Sequence, residues 1–346
     1  MENAKESTSM INMFTYPVFC VKNGIITEAN HHTKHLLISI NTPISEFLGD
    51  SINEYLNFQG SCISMTLYIA GTAIPAVAIR LHDTDVFHLY AERSADRVQA
   101  MTLVAQQVAE PLTELMNIEY LHNAKAYHPS FKKSLYKLQR IVTNISTMNA
   151  YTCGRPYGME VCDIVARVRE ILEKVQSLAK ISRRNLQYTC PKQTILCPVD
   201  LVILDKGIFN LISNAIQWSP EDSTIYVTVE RCDTRLRISI QNTDDSQSEG
   251  YDLFSRYMRA PQIEDGRHGI GLGIPIAHLA ACTHNGTLLM DRPETNTIRF
   301  TLTISTRIQT GDVVRSPVTQ IDHLGGFPRS YIELADVLPT SSFKDI

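Results

Sequence analysis

The sequence lacks the features that mark several specialised classes of protein. Its 8 cysteines are scattered, and the closest pair is Cys190 and Cys197, so their spacing indicates neither a zinc site nor a disulfide framework. The net charge of −4 offers no basic excess for binding nucleic acid. The polar start, MENAKE, lacks the basic and apolar stretches of a signal peptide. We therefore expect a cytoplasmic protein with reduced thiols and without a nucleic-acid partner.

Long apolar runs are also missing. Residues 55–79 contain no charged side chain, but Asn57, Gln59, Gly60 and Pro75 interrupt the stretch. Its apolar part of about 15 residues is shorter than the ~20 residues that a helix needs to cross a bilayer. We expect this stretch to form folded strands, and we predict no membrane span.

What the sequence does contain is the composition of a folded protein with more than one domain. The chain has 346 residues, of which 44% are hydrophobic and 20% are charged. Because domains usually comprise about 100–200 residues, two or three units are expected, each able to bury a core.

Residues 11–93 show short apolar runs separated by turns. The runs at 17–21 and 25–29 flank Asn23-Gly24, and Asn-Gly between two apolar runs predicts a β-hairpin. A helical stretch at 31–37 and strand-like runs at 62–69, 73–81 and 86–91 follow. This order, together with the segment VKNGIITEAN, resembles a PAS sensor domain. An unrelated small α+β domain is the alternative.

Residues 94–152 change to a helical period. The first predicted helix carries a heptad seam: Val98, Met101, Ala105, Val108, Leu112 and Leu115. After a break at His128-Pro129, a second helix places these residues on one face: Phe131, Leu135, Leu138, Ile141, Val142, Ile145 and Met148. Two such helices cannot bury both apolar faces alone, so we predict a four-helix bundle with a second copy, and hence a homodimer.

Residues 160–307 alternate between helices and strands, and one helix carries two notable amides. Asn210 and Asn214 are four residues apart and therefore share a helix face. An Asn oxygen is a hard neutral ligand that can complete a Mg²⁺ shell made otherwise of water and phosphate. For an isolated pair, ordinary exposed amides would be the simpler interpretation.

A glycine-rich segment lies downstream of this helix. Gly269, Gly271 and Gly273 allow backbone amides to approach a polyphosphate closely, and the following helix presents its N-terminus to the negative charge. Lid polarity and an exposed helix surface account for the nearby histidines without a metal cluster: His268, His278 and His284.

Together these segments resemble the ATP-binding domain of histidine kinases, in the superfamily that includes gyrase and Hsp90. NLISNAIQWSP is similar to the family's N-box, LFSRYMR at 253–259 to its F-box, and HGIGLGIPIAHLAACTHNGTL at 268–288 to its glycine-rich G2 box. The resemblance implies bound ATP and Mg²⁺. It assigns Asn214 as the Mg²⁺ ligand and Asn210 as its N-box partner. It places the phosphates at Gly269, Gly271 and Gly273.

The adenine-binding position departs from the family's pattern. The family has a DxGxG motif whose aspartate accepts a hydrogen bond from the adenine amine, whereas Asn242 stands at that position here and both glycines are missing. A neutral amide accepts a weaker hydrogen bond, by ~1 kcal/mol, so we expect weakened nucleotide binding. Asp244 or Asp245 can replace Asn242 if the loop is shifted.

The phosphoacceptor position departs more seriously. The family's His-Glu-x-x-x-Pro-Leu motif corresponds here to QQVAEPL, in which Gln106 replaces the histidine. A primary amide has no nucleophilic nitrogen comparable to that of imidazole and cannot carry the phosphoryl group. His122 continues the heptad seam and His128 lies in the turn, so neither is assigned this role.

The predicted fold is multidomain α+β. It consists of a PAS-like sheet (residues 11–93), a two-helix dimerisation hairpin that forms a four-helix bundle (94–152), and an α/β sandwich ATP-binding domain of the GHKL type (160–307). Residues 308–346 form a polar tail, with a short helix predicted at 331–337 and no function assigned to it.

The predicted function is that of a histidine-kinase-like signal transduction protein that binds ATP and Mg²⁺. Because Gln106 stands at the acceptor position, we expect histidine autophosphorylation to be impaired or absent. The resemblance implies a response regulator or a partner kinase as the binding partner. Two alternatives stay open: an active kinase that phosphorylates an atypical residue or a partner, and an interaction scaffold that binds no nucleotide.

Overall fold

The computed structural model describes residues 11, 12, 14, 16–89, 128–152, 158–244, 272–308, 323–324 and 327–344, and also the helical residues Ala105, Val108, Leu112 and Leu115. The predicted site residues Gln106, Gly269 and Gly271 lie outside this set. Among the described residues, no helix is long and apolar enough to span a bilayer.

Five strands form the N-terminal part of the structure: β1 (Val18–Lys22), β2 (Ile25–Ala29), β3 (Cys62–Ile69), β4 (Thr72–Leu81) and β5 (Thr84–Leu89). They lie in the order β2-β1-β5-β4-β3, and each neighbouring pair is antiparallel. Short helices connect β2 to β3: a 3-10 helix (His31–Leu36), α1 (Ser45–Leu48), a second 3-10 helix (Gly49–Ser51) and α2 (Ile52–Leu56).

The predicted hairpin between β1 and β2 is confirmed. Asn23 and Gly24 both have positive φ, 54° and 77°, as a tight two-residue hairpin turn requires. The core beneath the sheet includes Phe19 and Phe87, whose rings stack 4.9 Å apart. The three later strand predictions are also confirmed: the first has the predicted ends, and the second and third begin one and two residues earlier than predicted.

The C-terminal part contains most of the helices: α3 (Pro129–Thr152), α4 (Ile164–Ile181), α5 (Leu201–Trp218), α6 (Gly273–Thr283) and α7 (Arg329–Glu333). Its strands are β6 (Glu160–Asp163), β7 (Asn185–Thr189), β8 (Leu196–Val199), β9 (Thr224–Cys232), β10 (Arg235–Thr243), β11 (Leu288–Asp291) and β12 (Thr297–Ser305). Two short strands follow, β13 (His323–Leu324) and β14 (Phe327–Pro328), and a 3-10 helix (Thr340–Phe343).

Local sequence explains where the helices of this part begin. The carboxylate of Asp163 accepts hydrogen bonds from the amides of Val165 and Ala166, and so caps α4. Asp200 caps α5 in the same way, through the amides of Val202 and Ile203. Aspartate is a preferred N-cap because its oxygen satisfies amides that lack a helical partner. Both helices therefore start at a defined residue.

The two parts of the chain share one ten-stranded sheet. Its order is β2-β1-β5-β4-β3-β11-β12-β10-β9-β7, and the join lies between β3 and β11. There Cys62, Ile63 and Ser64 pair with Met290, Leu289 and Leu288. Strand edges carry open hydrogen-bonding groups, so this pairing satisfies groups that each part would otherwise expose.

Side chains reinforce the join. Glu54 of α2 forms an ion pair with Arg235 of β10 at 2.8 Å and accepts a hydrogen bond from Thr303 at 3.1 Å. Ser64 of β3 is hydrogen-bonded to Nδ1 of His278 in α6. The helix that follows the glycine segment thus contacts the N-terminal part directly.

The interpretation of His278 and His284 as surface residues is wrong. Only 8% of His278 and 2% of His284 are exposed. The reason is tertiary: β3 covers one side of α6, and the Nε2 atom of His284 accepts a hydrogen bond from the backbone amide of Asp200 at 2.9 Å. Burial lowers the pKa of His278 to about 4, so this ring is neutral near pH 7.

Gly286 tests the packing of the C-terminal part. A Cβ atom at this position would overlap the backbone carbonyl of Thr303 in β12. We expect Gly286→Ala to lower the free energy of unfolding by about 2–3 kcal/mol, since backbone atoms cannot move aside cheaply. Denaturant-induced unfolding measures this change.

Gly158→Ala is the matched control. A Cβ atom there would meet only the Asp200 Oδ2 atom, at an ordinary 3.9 Å. Its effect should stay within about 0.5 kcal/mol. Equal stability of the two variants would show that the close approach at Gly286 is wrongly described.

Candidate functional site

The helix α5 carries the two amides that the sequence singled out. Asn214 is partly exposed, and its Oδ1 atom accepts a hydrogen bond from Nε1 of Trp218 at 3.1 Å. Asn210, one turn earlier, is only 3% exposed. Its Nδ2 atom donates to the Lys206 carbonyl, and its Oδ1 atom accepts a hydrogen bond from Arg140 of α3, both at 2.9 Å. The amides share a helix face but differ in environment.

The end of the glycine segment lies against this helix. Gly273 begins α6, and a Cβ atom built on it would lie 3.2 Å from Oδ1 of Asn210 and 3.6 Å from its Cβ. A side chain here would crowd the amide, so the glycine permits the close approach of α6 to α5. The structure therefore brings together two motifs that are more than sixty residues apart in sequence.

Asn242, the third predicted contact residue, lies near the end of β10. It is 3% exposed, and its Nδ2 atom donates to the carbonyl of Thr243 at 2.9 Å. The substitute considered for it, Asp244, forms an ion pair with Arg292 at 3.0 Å. Arg292 thus engages the carboxylate of Asp244.

A buried network of charges joins α5 to α3 and to the residues at 329–336, which follow β14. Lys206 Nζ lies 2.9 Å from both Glu333 Oε1 and Asn144 Oδ1. Arg140 contacts Asp336 at 2.5 Å in addition to Asn210. Apart from Asn210, the sequence analysis assigned no role to any of these residues.

Asp205 forms a second branch of this network. It is 0% exposed and accepts hydrogen bonds from Arg167 of α4 at 3.2 and 2.5 Å and from Arg329 of α7 at 2.8 Å. Buried charges are stable only when they are paired and hydrogen-bonded, and here two guanidinium groups meet that need. A signal was present in the sequence: Asp205-Lys206 interrupts an apolar helical run, LVILDKGIFNLI.

Burial shapes the ionisation of the central pair. Burial lowers the pKa of Lys206, and Glu333 offsets this only in part because Arg329 and Arg140 are also near. Burial opposes ionisation of Glu333 as well, but Lys206, Arg329 and Arg140 together hold its pKa below the usual value. Glu333 is thus the buried anion around which three cations gather.

The donor set suits Mg²⁺ held mainly by a nucleotide. No cluster of three or more His, Cys, Asp or Glu side chains that would hold a metal ion occurs in the described part of the chain. Mg²⁺ commonly takes one or two protein oxygens and fills its shell with water and phosphate. The partly exposed oxygen of Asn214 can serve as such a ligand. Bound ATP would supply the phosphate oxygens.

A separate polar cleft of about 1060 Å³ lies between the short N-terminal helices and the outer face of β10 and β12. Its lining includes arginines that already face carboxylates, as Arg237 faces Glu230 at 3.3 Å. Neither Asn210 nor Gly273 lines it. The motif residues on the helical side of the sheet are therefore a stronger candidate for the functional site than this cleft.

Comparison with known proteins agrees with the motifs. Residues 200–308 match the family model "Histidine kinase-, DNA gyrase B-, and HSP90-like ATPase". The sensor protein KdpD of Clostridium acetobutylicum is 26% identical over 155 residues, which are 44% of this chain and 17% of KdpD. The sensor histidine kinase CusS of Escherichia coli K12 is 24% identical over 237 residues, which are 64% of this chain and 46% of CusS.

Among solved structures, histidine kinase AdeS of Acinetobacter baumannii aligns over 58% of this chain and 98% of that chain, with 18% identity and a TM-score of 0.40. The chain spans less than half the length of the two curated relatives. The matched residues include α5, the Asn242 strand and the end of the glycine segment. The chain therefore carries a histidine-kinase-type ATPase domain at residues 200–308 and is similar to sensor histidine kinases.

Proposed function

We propose that this chain binds ATP with Mg²⁺ and acts in signal transduction without phosphorylating a histidine of its own. The observation that carries the proposal is the approach of Gly273 to Asn210, because it joins the N-box helix to the end of the glycine segment. In this proposal Asn214 is the Mg²⁺ ligand, and Asn210 and Asn242 contact the nucleotide. Gly269, Gly271 and Gly273 approach its phosphates.

The chemistry of these residues supports the proposal. Phosphoryl transfer depends mainly on positioning and on neutralising phosphate charge. Backbone amides at a helix N-terminus and Mg²⁺ provide both locally. A local arrangement is needed because the chain's net charge of −4 does not attract an anion. The neutral acceptor of Asn242 favours weak rather than tight adenine binding.

The single tryptophan provides a direct test of nucleotide binding. Trp218 donates a hydrogen bond to the Asn214 oxygen that the proposal assigns to Mg²⁺. We expect titration with Mg-ADP to produce a saturable change in tryptophan fluorescence, because the metal takes the acceptor of the indole. At a ligand concentration of 100 times Kd, binding should also add about 2.7 kcal/mol of stability.

Asn214→Ala should abolish the response to Mg-ADP. The matched control is Asn53→Ala, at an exposed position in α2 that lines the separate polar cleft. It should titrate as the unmodified protein does. If Mg-ADP changes neither the fluorescence nor the stability of the unmodified protein, the proposal of nucleotide binding fails. The alternative of an interaction scaffold that binds no nucleotide then stands.

Gln106 is the basis for proposing that self-phosphorylation is absent. Its amide cannot accept a phosphoryl group, whereas an imidazole can. A chain that binds ATP but lacks the acceptor histidine can still regulate or phosphorylate a partner protein. The family resemblance points to a response regulator or a partner kinase as that protein. The active-kinase alternative requires phosphate transfer to an atypical residue or to that partner.

A phosphorylation assay separates these possibilities. Incubation with labelled ATP should leave the unmodified chain without acid-labile, base-stable label. Gln106→His should acquire such label if the rest of the phosphotransfer apparatus is competent. Acid-labile label on the unmodified chain would refute the proposal. ATP turnover that Asn214→Ala abolishes would support the active kinase instead.

Exposed apolar side chains support the proposed homodimer. Val108 and Leu115, seven residues apart on the predicted first helix, are 36% and 46% exposed. Leu138 of α3 is 43% exposed, and Phe131, one heptad earlier, is 40% exposed. Ala105 and Leu112 lie in the core instead. Pairing with a second copy would bury the exposed set, as a four-helix bundle does.

The mass in solution tests the homodimer. We expect light scattering to give twice the chain mass of 38.9 kDa, and Leu138→Asp to give the monomer mass, because a charge in the bundle core opposes association. Leu196→Asp is the matched control, since Leu196 is 46% exposed but lies on β8. A monomer mass for the unmodified protein at micromolar concentration would contradict the proposal.

We propose a sensor role for the N-terminal part. The order of its five strands and the short helices between β2 and β3 support the PAS-like interpretation. We also propose a cytoplasmic location. The seven cysteines in the described residues are all free thiols, as expected in a reducing compartment.

A further inference from the structure

The C-terminal segment, defined here as Arg329–Phe343, packs as part of the core. Ile332, Leu334, Ala335 and Phe343 are fully buried, and the ring of Phe343 meets that of Tyr136 in α3 edge to face at 5.3 Å. Lys133 of α3 also donates a hydrogen bond to the carbonyl of Leu338 at 2.6 Å. The segment therefore rests on α3 over several turns.

The same segment supplies charges to α5. Glu333 pairs with Lys206, and Arg329 pairs with Asp205, so two consecutive residues of the N-box helix depend on it. Asp336 holds Arg140, and Arg140 in turn donates to the Asn210 oxygen. An unbroken chain of contacts thus leads from the C-terminal segment to a residue of the proposed nucleotide site.

In this arrangement both polar atoms of the Asn210 side chain already have hydrogen-bond partners. Its Nδ2 donates to its own helix, and its Oδ1 accepts from Arg140, which 8% side-chain exposure places out of bulk solvent. Arg140 occupies one of the two acceptor positions of the Asn210 oxygen, so a nucleotide or a hydrated Mg²⁺ that takes this position must displace the guanidinium group. That displacement disturbs the arrangement that links α3, the C-terminal segment and α5, because Arg140 lies between Asp336 and Asn210.

We infer that the C-terminal segment is an intramolecular clasp that holds the guanidinium group of Arg140 against the Asn210 oxygen. Docking of the segment and binding of the nucleotide then exclude each other. The inference rests on the proposed nucleotide site and adds its regulation. Two mutually exclusive events have reciprocal effects: nucleotide releases the clasp, and loss of the clasp raises the affinity for nucleotide. The apparent Kd is the intrinsic Kd divided by the fraction of molecules that are open.

Arg140→Met is the principal test. Methionine keeps the apolar length of the side chain and removes the donor to Asn210. Asp336, whose side chain is 29% exposed, can turn to solvent. We expect Mg-ADP, followed by Trp218 fluorescence, to bind about tenfold more tightly than to the unmodified chain, within the 5–150-fold range usual for such coupling.

Two further variants keep the test independent of one substitution. Asp336→Asn weakens the hold on Arg140 at a partly exposed position and should tighten binding to a smaller extent. Arg237→Met is the matched control: it removes a guanidinium group from an ion pair with Glu230 on the opposite face of the sheet. It should leave the Kd unchanged. Thermal unfolding confirms that each variant is folded.

Hydrogen exchange reports the clasp without relying on affinity. The amides of Leu334 and Leu338, which bond to the carbonyls of Ser330 and Leu334, should exchange faster in Asp336→Asn than in the unmodified chain. They should also exchange faster when Mg-ADP is added to the unmodified chain. Greater protection on adding Mg-ADP would overturn the inference.

The outcomes for the clasp and for the site are distinct. If the unmodified chain binds Mg-ADP and Arg140→Met binds it equally or more weakly, the clasp is refuted while the proposed nucleotide site stands. If no variant binds Mg-ADP, the proposed function fails and the clasp fails with it. Tighter binding in Arg140→Met and Asp336→Asn, but not in Arg237→Met, supports the clasp.

Discussion

The ammonium group of Lys206 is buried beside an otherwise apolar stretch of α5. The carboxylate that neutralises its charge belongs to Glu333, 127 residues later in the chain. Removing one partner of a buried ion pair costs about 3–5 kcal/mol, a large fraction of the stability of a typical domain. The C-terminal segment is therefore part of the domain to which α5 belongs. Because α3 contributes Asn144 to the same ammonium group, α3 and the ATPase domain are also joined at this point.

A second constraint acts at the opposite side of the domain, where β11 would be an edge strand. β3 pairs with it, and Ser64 reaches His278 in the helix that begins at Gly273. The N-terminal strands and the proposed nucleotide site are thus separated by a single helix, α6. The N-box helix is thereby flanked by α3 and the C-terminal segment, and by α6 with its contact to β3.

Local patterns in the sequence were sufficient for much of the secondary structure. The Asn23-Gly24 turn, the strand-like runs and the long helix after His128-Pro129 depend on nearby residues only, and each is present. The candidate site residues could also be named from the sequence, because the N-box and glycine-rich segments together resemble those of the histidine kinase family. The short helix expected at 331–337 begins two residues earlier and is shorter, at Arg329–Glu333. The surroundings of His278 were misjudged, since nothing near it in sequence shows that β3 lies against α6.

The sequence by itself indicated the type of the ATPase domain and supplied the residues proposed to contact a nucleotide, because its short motifs resemble those of the histidine kinase family. Only the tertiary structure decided what surrounds them. It joined β3 to β11, drew Glu333 and Asp336 to α3 and α5, and placed Arg140 on the amide of Asn210. Such contacts link residues far apart in the chain: Ser64 and His278 are 214 positions apart. They arise because buried charges and open strand edges must find partners, and no local pattern specifies which partner that will be.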